Sequence, residues 1–123
     1  MNDIVWKEFV EKAKAEYNKI GNISCPVFGN DPVYFNKHGF NHLLRKGKKY
    51  RPRDEQIKRI HLLPSAVYIL RRAQEIRGYR SNTVDDVSAD FWTIRGIHDG
   101  SRIRVILRRL GNSKLHFFSV MQE

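Results

Sequence analysis

From Asp3 to Ile20 the apolar residues Ile4, Phe9, Ala13, Tyr17 and Ile20 recur at intervals of three to five, the spacing that lines one side of a helix. Asp3 suits the N-cap and Gly21 the stop, so the segment predicts an amphipathic helix. Residues 22–32 gather Asn, Ser, Pro, Gly and Asp and predict a loop, followed by a short β-prone stretch at Val33, Tyr34 and Phe35. Asn36 then caps a short helix over residues 37–46, with Phe40, Leu43 and Leu44 on one side and His38, His42 and Arg45 on the other. Residues 47–53 are basic and turn-like. A second short helix over residues 53–63 carries Ile57, Ile60 and Leu63, and Pro64 opens a third that runs to Arg77, with Ile69, Leu70, Ala73 and Ile76 facing inward and Gly78 as its stop.

Residues 79–90 are polar and read as a connection within one domain. Three alternating runs follow, over residues 91–98, 102–109 and 115–121, separated by Asp99-Gly100 and Gly111-Asn112, both hairpin dipeptides. A two-residue turn at Asp99-Gly100 places Ile94 opposite Val105 and Arg95 opposite Arg104. A turn at Gly111-Asn112 places Val105 opposite Phe118 and Arg104 opposite Ser119. One face then carries Trp92, Ile94, Ile103, Val105, Leu107, Phe118 and Val120, interrupted by Gly96 and His116, and must bury itself against the helices. The expected architecture is a single α+β domain over residues 1–123, mainly helical over 1–78 and an antiparallel meander over 91–121. Its N-terminal helices pack on one face of a three- or four-stranded antiparallel sheet, with Val33 to Phe35 as the candidate fourth strand.

The size suits one core, since 123 residues is a common length for one domain, and an apolar content of 41% supports folding. Charge changes the picture more. Lys and Arg total 23 against 13 Asp and Glu, a net charge of +10, which favours nucleic acid, an anionic surface or an acidic partner. No apolar run approaches the ~20 residues that span a bilayer, and the start lacks the basic-then-apolar order of a signal peptide, so no membrane role is expected. The lone Cys25 leaves no internal disulfide and no multi-cysteine zinc site, and suits a small buried apolar position.

Candidate chemistry lies in two places. His38 and His42 stand at i and i+4 with Arg45 one turn on. A third metal ligand is missing beside them, so a metal is not expected, and no cofactor is called for. Cleavage of RNA without a metal asks for a proton acceptor, a proton donor and fixed cations on the phosphate, and His with Arg supplies all three. The second place is the sheet row Arg95, Arg104 and Ser119, with Arg102 one pair along: either a phosphate subsite, or a solvated face whose arginines pair with Asp85, Asp86 or Glu123.

The stretches VYFNKHGFNHLLRK, RIHLLPSAVYIL, GSRIRVILRR and KLHFFSVM, spanning residues 33–121, together resemble the phage-associated branch of the nucleases that group barnase, EndoU, the colicin tRNases and the RelE toxins. The resemblance implies that fold and a metal-independent endoribonuclease, often a toxin or a C-terminal domain of a larger protein. Carried over residue by residue, it assigns catalysis to His38, His42, Arg45 and Ser119, and Arg104 as the strand cation. Arg95, Arg102, Lys37 and Arg51 complete the expected phosphate contacts. RNA, including tRNA, is the expected substrate, an acidic immunity protein or antitoxin the expected protein partner, and the cytoplasm, of the producing cell or of a target cell, the expected location. Two other classes stay open: a non-catalytic RNA-binding module in which Phe117 or Tyr34 stacks on bases, and an interaction domain for an acidic partner.

Overall fold

The computed structural model describes all residues 1–123, as four α-helices and eight strands. Helix α1 (Asp3–Ile20) is capped by Asn2, whose side chain accepts from the Val5 amide at 2.9 Å; Asp3, the expected cap, is instead the first helical residue, where its charge favours the helix N-terminus. Two short strands, β1 (Asn22–Ile23) and β2 (Val33–Tyr34), flank a 3-10 turn, and β2 leads into α2 (Lys37–Leu44). Asn36 caps α2 as expected, accepting from the His38 amide at 3.1 Å. Helix α2 stops two residues earlier than its pattern suggested. Arg45 and Lys46 form β3 (Arg45–Lys46), which turns through Gly47, at a φ of 64°, into β4 (Lys49–Tyr50). Helices α3 (Arg53–His61) and α4 (Leu63–Arg72) follow, and Ala73 leaves the helical region. The third predicted helix thus ends five residues short of Arg77, because the Arg77 amide bonds the Thr93 carbonyl and draws the chain into the sheet. Ile76, expected in the core, is 40% exposed.

The sheet has six strands in the order β1-β2-β8-β7-β6-β5 and is antiparallel except where β2 meets β8 at Tyr34 and His116. It is larger than the three or four strands expected, because the polar connection is itself a hairpin. Strand β5 (Gly78–Val84) pairs along β6 (Val87–His98), and Asp85 and Asp86 make the turn at φ values of 49° and 63°. Strand β7 (Ser101–Leu110) pairs with β6 in the predicted register, Ile94 with Val105 and Arg95 with Arg104. Strand β8 (His116–Gln122) does not. Val105 faces Val120, Ile106 faces Ser119, and the ladder shifts so that Leu107 faces Phe117. Phe118 is the extra residue of a β-bulge, and the bulge reverses the alternation before it. Phe117 therefore enters the core, fully buried, and Phe118 and His116 turn to the opposite face.

Helices α1 and α4 cover the core face. Tyr17 packs on Phe35, Phe40 and Phe117, and its buried hydroxyl donates to the Asn36 carbonyl at 2.7 Å. Helix α4 lies on β6 and β7 through Ile69, which touches Gly96. Helix α2 behaves differently from the single-face expectation. Strand β2 pairs with β8 at one position only, so the side of β8 beyond His116 is free, and α2 packs there. A Cβ on Gly39 would lie 2.5 Å from the Phe117 carbonyl oxygen, so the helix backbone rests directly on the strand. Leu43 and Phe40 enter the core, while His42 reaches round to stack on Phe118 across the sheet.

Candidate functional site

On α2, His38, Asn41 and His42 stand at i, i+3 and i+4 and form one stripe, and Arg45, the first residue past the helix, continues it from β3. Opposite them, Arg108 of β7 and Phe118 of β8 rise from the outer sheet face, and Gly47 of the β3–β4 turn closes one end. These residues line a cleft of about 340 Å³ that carries no carboxylate. Phe118 is its hub. His42 stacks on the ring at 4.1 Å between centroids, the Arg108 guanidinium lies 4.4 Å from its centroid, and Phe91 meets it edge-on.

Hydrogen bonds fix the orientation of the polar groups. Arg108 Nε donates to His116 Nε2 at 3.0 Å, and His116 Nδ1 lies 3.3 Å from the Lys114 carbonyl oxygen, a pairing that needs His116 neutral with its proton on Nδ1. His116 is 1% exposed, and its ring lies 5.5 Å from that of His38, tilted by 37°. Arg51 donates from Nε to the His42 carbonyl and places Nη2 3.2 Å from His42 Nε2, so that nitrogen acts as an acceptor too. Burial first, and then Arg51, Arg59, Arg108 and Lys46, hold the His42 imidazole down to about 4. His116 is likewise pushed down to about 4 by burial and by Arg108 and His38, against the pull of the Lys114 carbonyl. The exposed His38 is lowered by desolvation, then by Arg108 and Lys37. All three rings are thus neutral at pH 7, and the guanidinium groups that line the cleft, Arg45 and Arg108, have no carboxylate beside them. Such an arrangement can accommodate an anion.

The residues expected from sequence divide into two sets. His38, His42 and Arg45 line the cleft, Arg51 touches His42, and Lys37 stands exposed at the start of α2. Ser119 does not reach the cleft: it is 1% exposed and accepts from Arg59 at 3.0 Å, a bond that fastens α3 to the sheet. The arginine row does not line it either. Arg95 pairs with Glu123 at 3.0 Å, the solvated alternative. Arg104 sends Nη2 to the Met121 sulfur while its buried Nε has no partner, and Met121, not Ser119, is opposite it. Arg102 is exposed beyond both, and Arg104 itself lies about 13 Å along the strand from Arg108 at an ordinary strand rise. The groups that sequence reasoning missed are Arg108, His116, Phe118, Asn41 and Arg59. The signal for His116 and Phe118 was the His-Phe-Phe-Ser run of β8, a weak one, whose doubled aromatic breaks strict alternation at the bulge; Arg108, Asn41 and Arg59 carry none.

No three His, Cys, Asp or Glu side chains gather as a metal-ligand set, and no helix is long and apolar enough to cross a membrane. No protein-family model, curated protein or solved structure matches the chain.

Proposed function

We propose that the chain is a metal-independent endoribonuclease that cuts RNA by attack of a 2'-hydroxyl on the adjacent phosphate, leaving a 2',3'-cyclic phosphate and a 5'-hydroxyl. The observation that carries this reading is the carboxylate-free cleft in which His38 and His42 on one helix stripe face Arg108 across the sheet, with Arg45 and Arg51 beside them. His38, the imidazole most open to solvent, takes the 2'-hydroxyl proton. His42 is the second proton carrier and protonates the departing 5'-oxygen. Arg45, Arg51 and Arg108 hold the pentavalent phosphate, whose charge is greatest in the transition state. A bound phosphate offsets these cations and so raises the proton affinity of both imidazoles, which burial and the neighbouring cations otherwise hold low.

The resemblance to the phage-associated barnase, EndoU, colicin and RelE grouping belongs to the same proposal, and with it a toxin role and an acidic antitoxin or immunity partner. The element order, helices followed by an antiparallel meander, is in keeping with it. One observation favours a second reading: the Nε2 atoms of His42 and His116 are both taken up by arginines, as in a cleft that only binds phosphate. Incubation of the protein with tRNA and total RNA in EDTA separates the two. Cleavage that disappears in the His38→Ala/His42→Ala double variant is expected. Intact RNA at every protein concentration, or cleavage surviving in the double variant, would sink the nuclease reading.

A further inference from the structure

The β3–β4 hairpin has a cavity on each side. One is the cleft described above; the other, about 590 Å³, lies between the hairpin and the N-terminal half of α1. Its walls include Trp6, Tyr50 and Pro52 as flat apolar surfaces and Lys7, Arg51 and Arg53 as cations. Two side chains join the cavities. Arg51 borders the groove while its Nη2 reaches His42 Nε2 at 3.2 Å, and Arg45 borders the cleft while its guanidinium lies 4.3 Å from the Tyr50 ring centroid. Tyr50 nonetheless keeps 63% of its surface exposed, and Arg53 sits over the Trp6 ring at 5.0 Å. Tyr50 accepts a hydrogen bond from Arg45, its partner across the hairpin, and Arg53 pairs with the exposed Asp3 at 2.6 Å, yet the tyrosine ring stays open to solvent beside a tryptophan and these cations. An open ring so placed is a good way to hold a flat, electron-rich ring carrying a phosphate.

We infer that this groove is a nucleotide subsite, which takes the unpaired base next to the phosphate in the cleft, stacked on Tyr50 and bordered by Trp6, with Arg51 and Arg53 on its phosphate. The placement next to the cleft rests on the proposed RNA-cleaving function; the groove's affinity for a nucleotide does not. Glu11, the one carboxylate on the groove wall, is an acceptor for an exocyclic amino group and so favours adenine, guanine or cytosine over uracil. A base seated this way has left any helix, so the RNA taken is single-stranded or looped.

The two tryptophans give separate reporters, since Trp92 lies on β6 against Phe28 and Tyr79, outside the groove. Adenosine 5'-monophosphate, ribose 5-phosphate and inorganic phosphate are each titrated while the indole N–H signals are followed by NMR, the Trp6 signal being identified by its loss in Trp6→Phe. The nucleotide is expected to shift the Trp6 signal saturably and leave the Trp92 signal in place, and to bind about tenfold more weakly to Tyr50→Ala. An unmoved Trp92 signal in Tyr50→Ala shows that the variant is folded. A Trp6 shift that ribose 5-phosphate reproduces, or that Tyr50→Ala leaves unchanged, would overturn the subsite. The same samples are assayed for RNA cleavage: a Tyr50-dependent shift without cleavage overturns the nuclease and leaves the nucleotide groove, whereas cleavage without that shift does the reverse.

Discussion

His42 and His116 each offer one ring nitrogen to a guanidinium, and a protonated ring would lose that bond and gain a like charge in return. Both ordinarily titrate near 6.5 and are held to about 4 in the folded chain. Unfolding therefore takes up protons between these values, so the stability they contribute is complete above pH 6.5 and drains away as the pH falls to 4. In His116→Gln the side-chain oxygen accepts from Arg108 without titrating. The urea midpoint should fall less between pH 7 and pH 4.5 in this variant than in the parent, and an equal fall would remove His116 from the account. Ser119 makes the complementary case. Its hydroxyl serves Arg59, so Ser119→Ala is expected to cost about 1 kcal/mol of stability in urea titrations and to leave the rate of RNA cleavage within twofold. A large loss of rate at unchanged stability would return Ser119 to the chemistry.

Among the elements, α2 decides whether there is a site at all. It rests on β8 through Gly39, and a methyl group there would meet the Tyr17 hydroxyl at 2.4 Å and the Phe117 carbonyl oxygen at 2.5 Å. Both neighbours are held, the first by its bond to the Asn36 carbonyl and the second by the strand backbone. Gly39→Ala should therefore lower stability by about 1 to 3 kcal/mol despite alanine's better helix propensity, and should reduce RNA cleavage with it as His38 and His42 move away from Arg108. Thermal melts and cleavage rates check this; a more stable, fully active variant would mean that α2 does not rest on the strand as described. The same helix shows what sequence conveys. Its cap, its apolar side and its His-His-Arg stripe follow from local periodicity and Asn36 alone, and so did half of the candidate site. Strand β8 shows the limit. Its register depends on a bulge and on a turn longer than two residues, and neither leaves a strong local mark, so Phe118 was placed in the core, and Ser119 beside Arg104. The β5–β6 hairpin was hidden for a related reason: its turn is Asp-Asp rather than Asn-Gly, and its first strand is exposed and so lacks alternation.

At the scale of the whole molecule, the net charge of +10 is not spread evenly in its consequences. Several arginines are spent on structure: Arg59 on Glu55 and Ser119, Arg95 on Glu123, Arg109 on Asp31. Of the arginines without a carboxylate in salt-bridge reach, Arg45 and Arg108 line one cleft and Arg51 reaches it through His42, beside a hairpin that adds Lys46, Lys48 and Lys49. Composition alone pointed to a polyanion; the proposed function puts it on the outer sheet face where α2 crosses β8. The central claim is that a 2'-hydroxyl is the nucleophile there, and the most direct measurement compares an RNA oligonucleotide with its all-deoxy counterpart in EDTA, reading the products by mass spectrometry. The account predicts that the RNA is cut to fragments ending in a 2',3'-cyclic phosphate and that the DNA survives. Cleavage of both strands, RNA fragments with 3'-hydroxyl ends, or survival of both would contradict it.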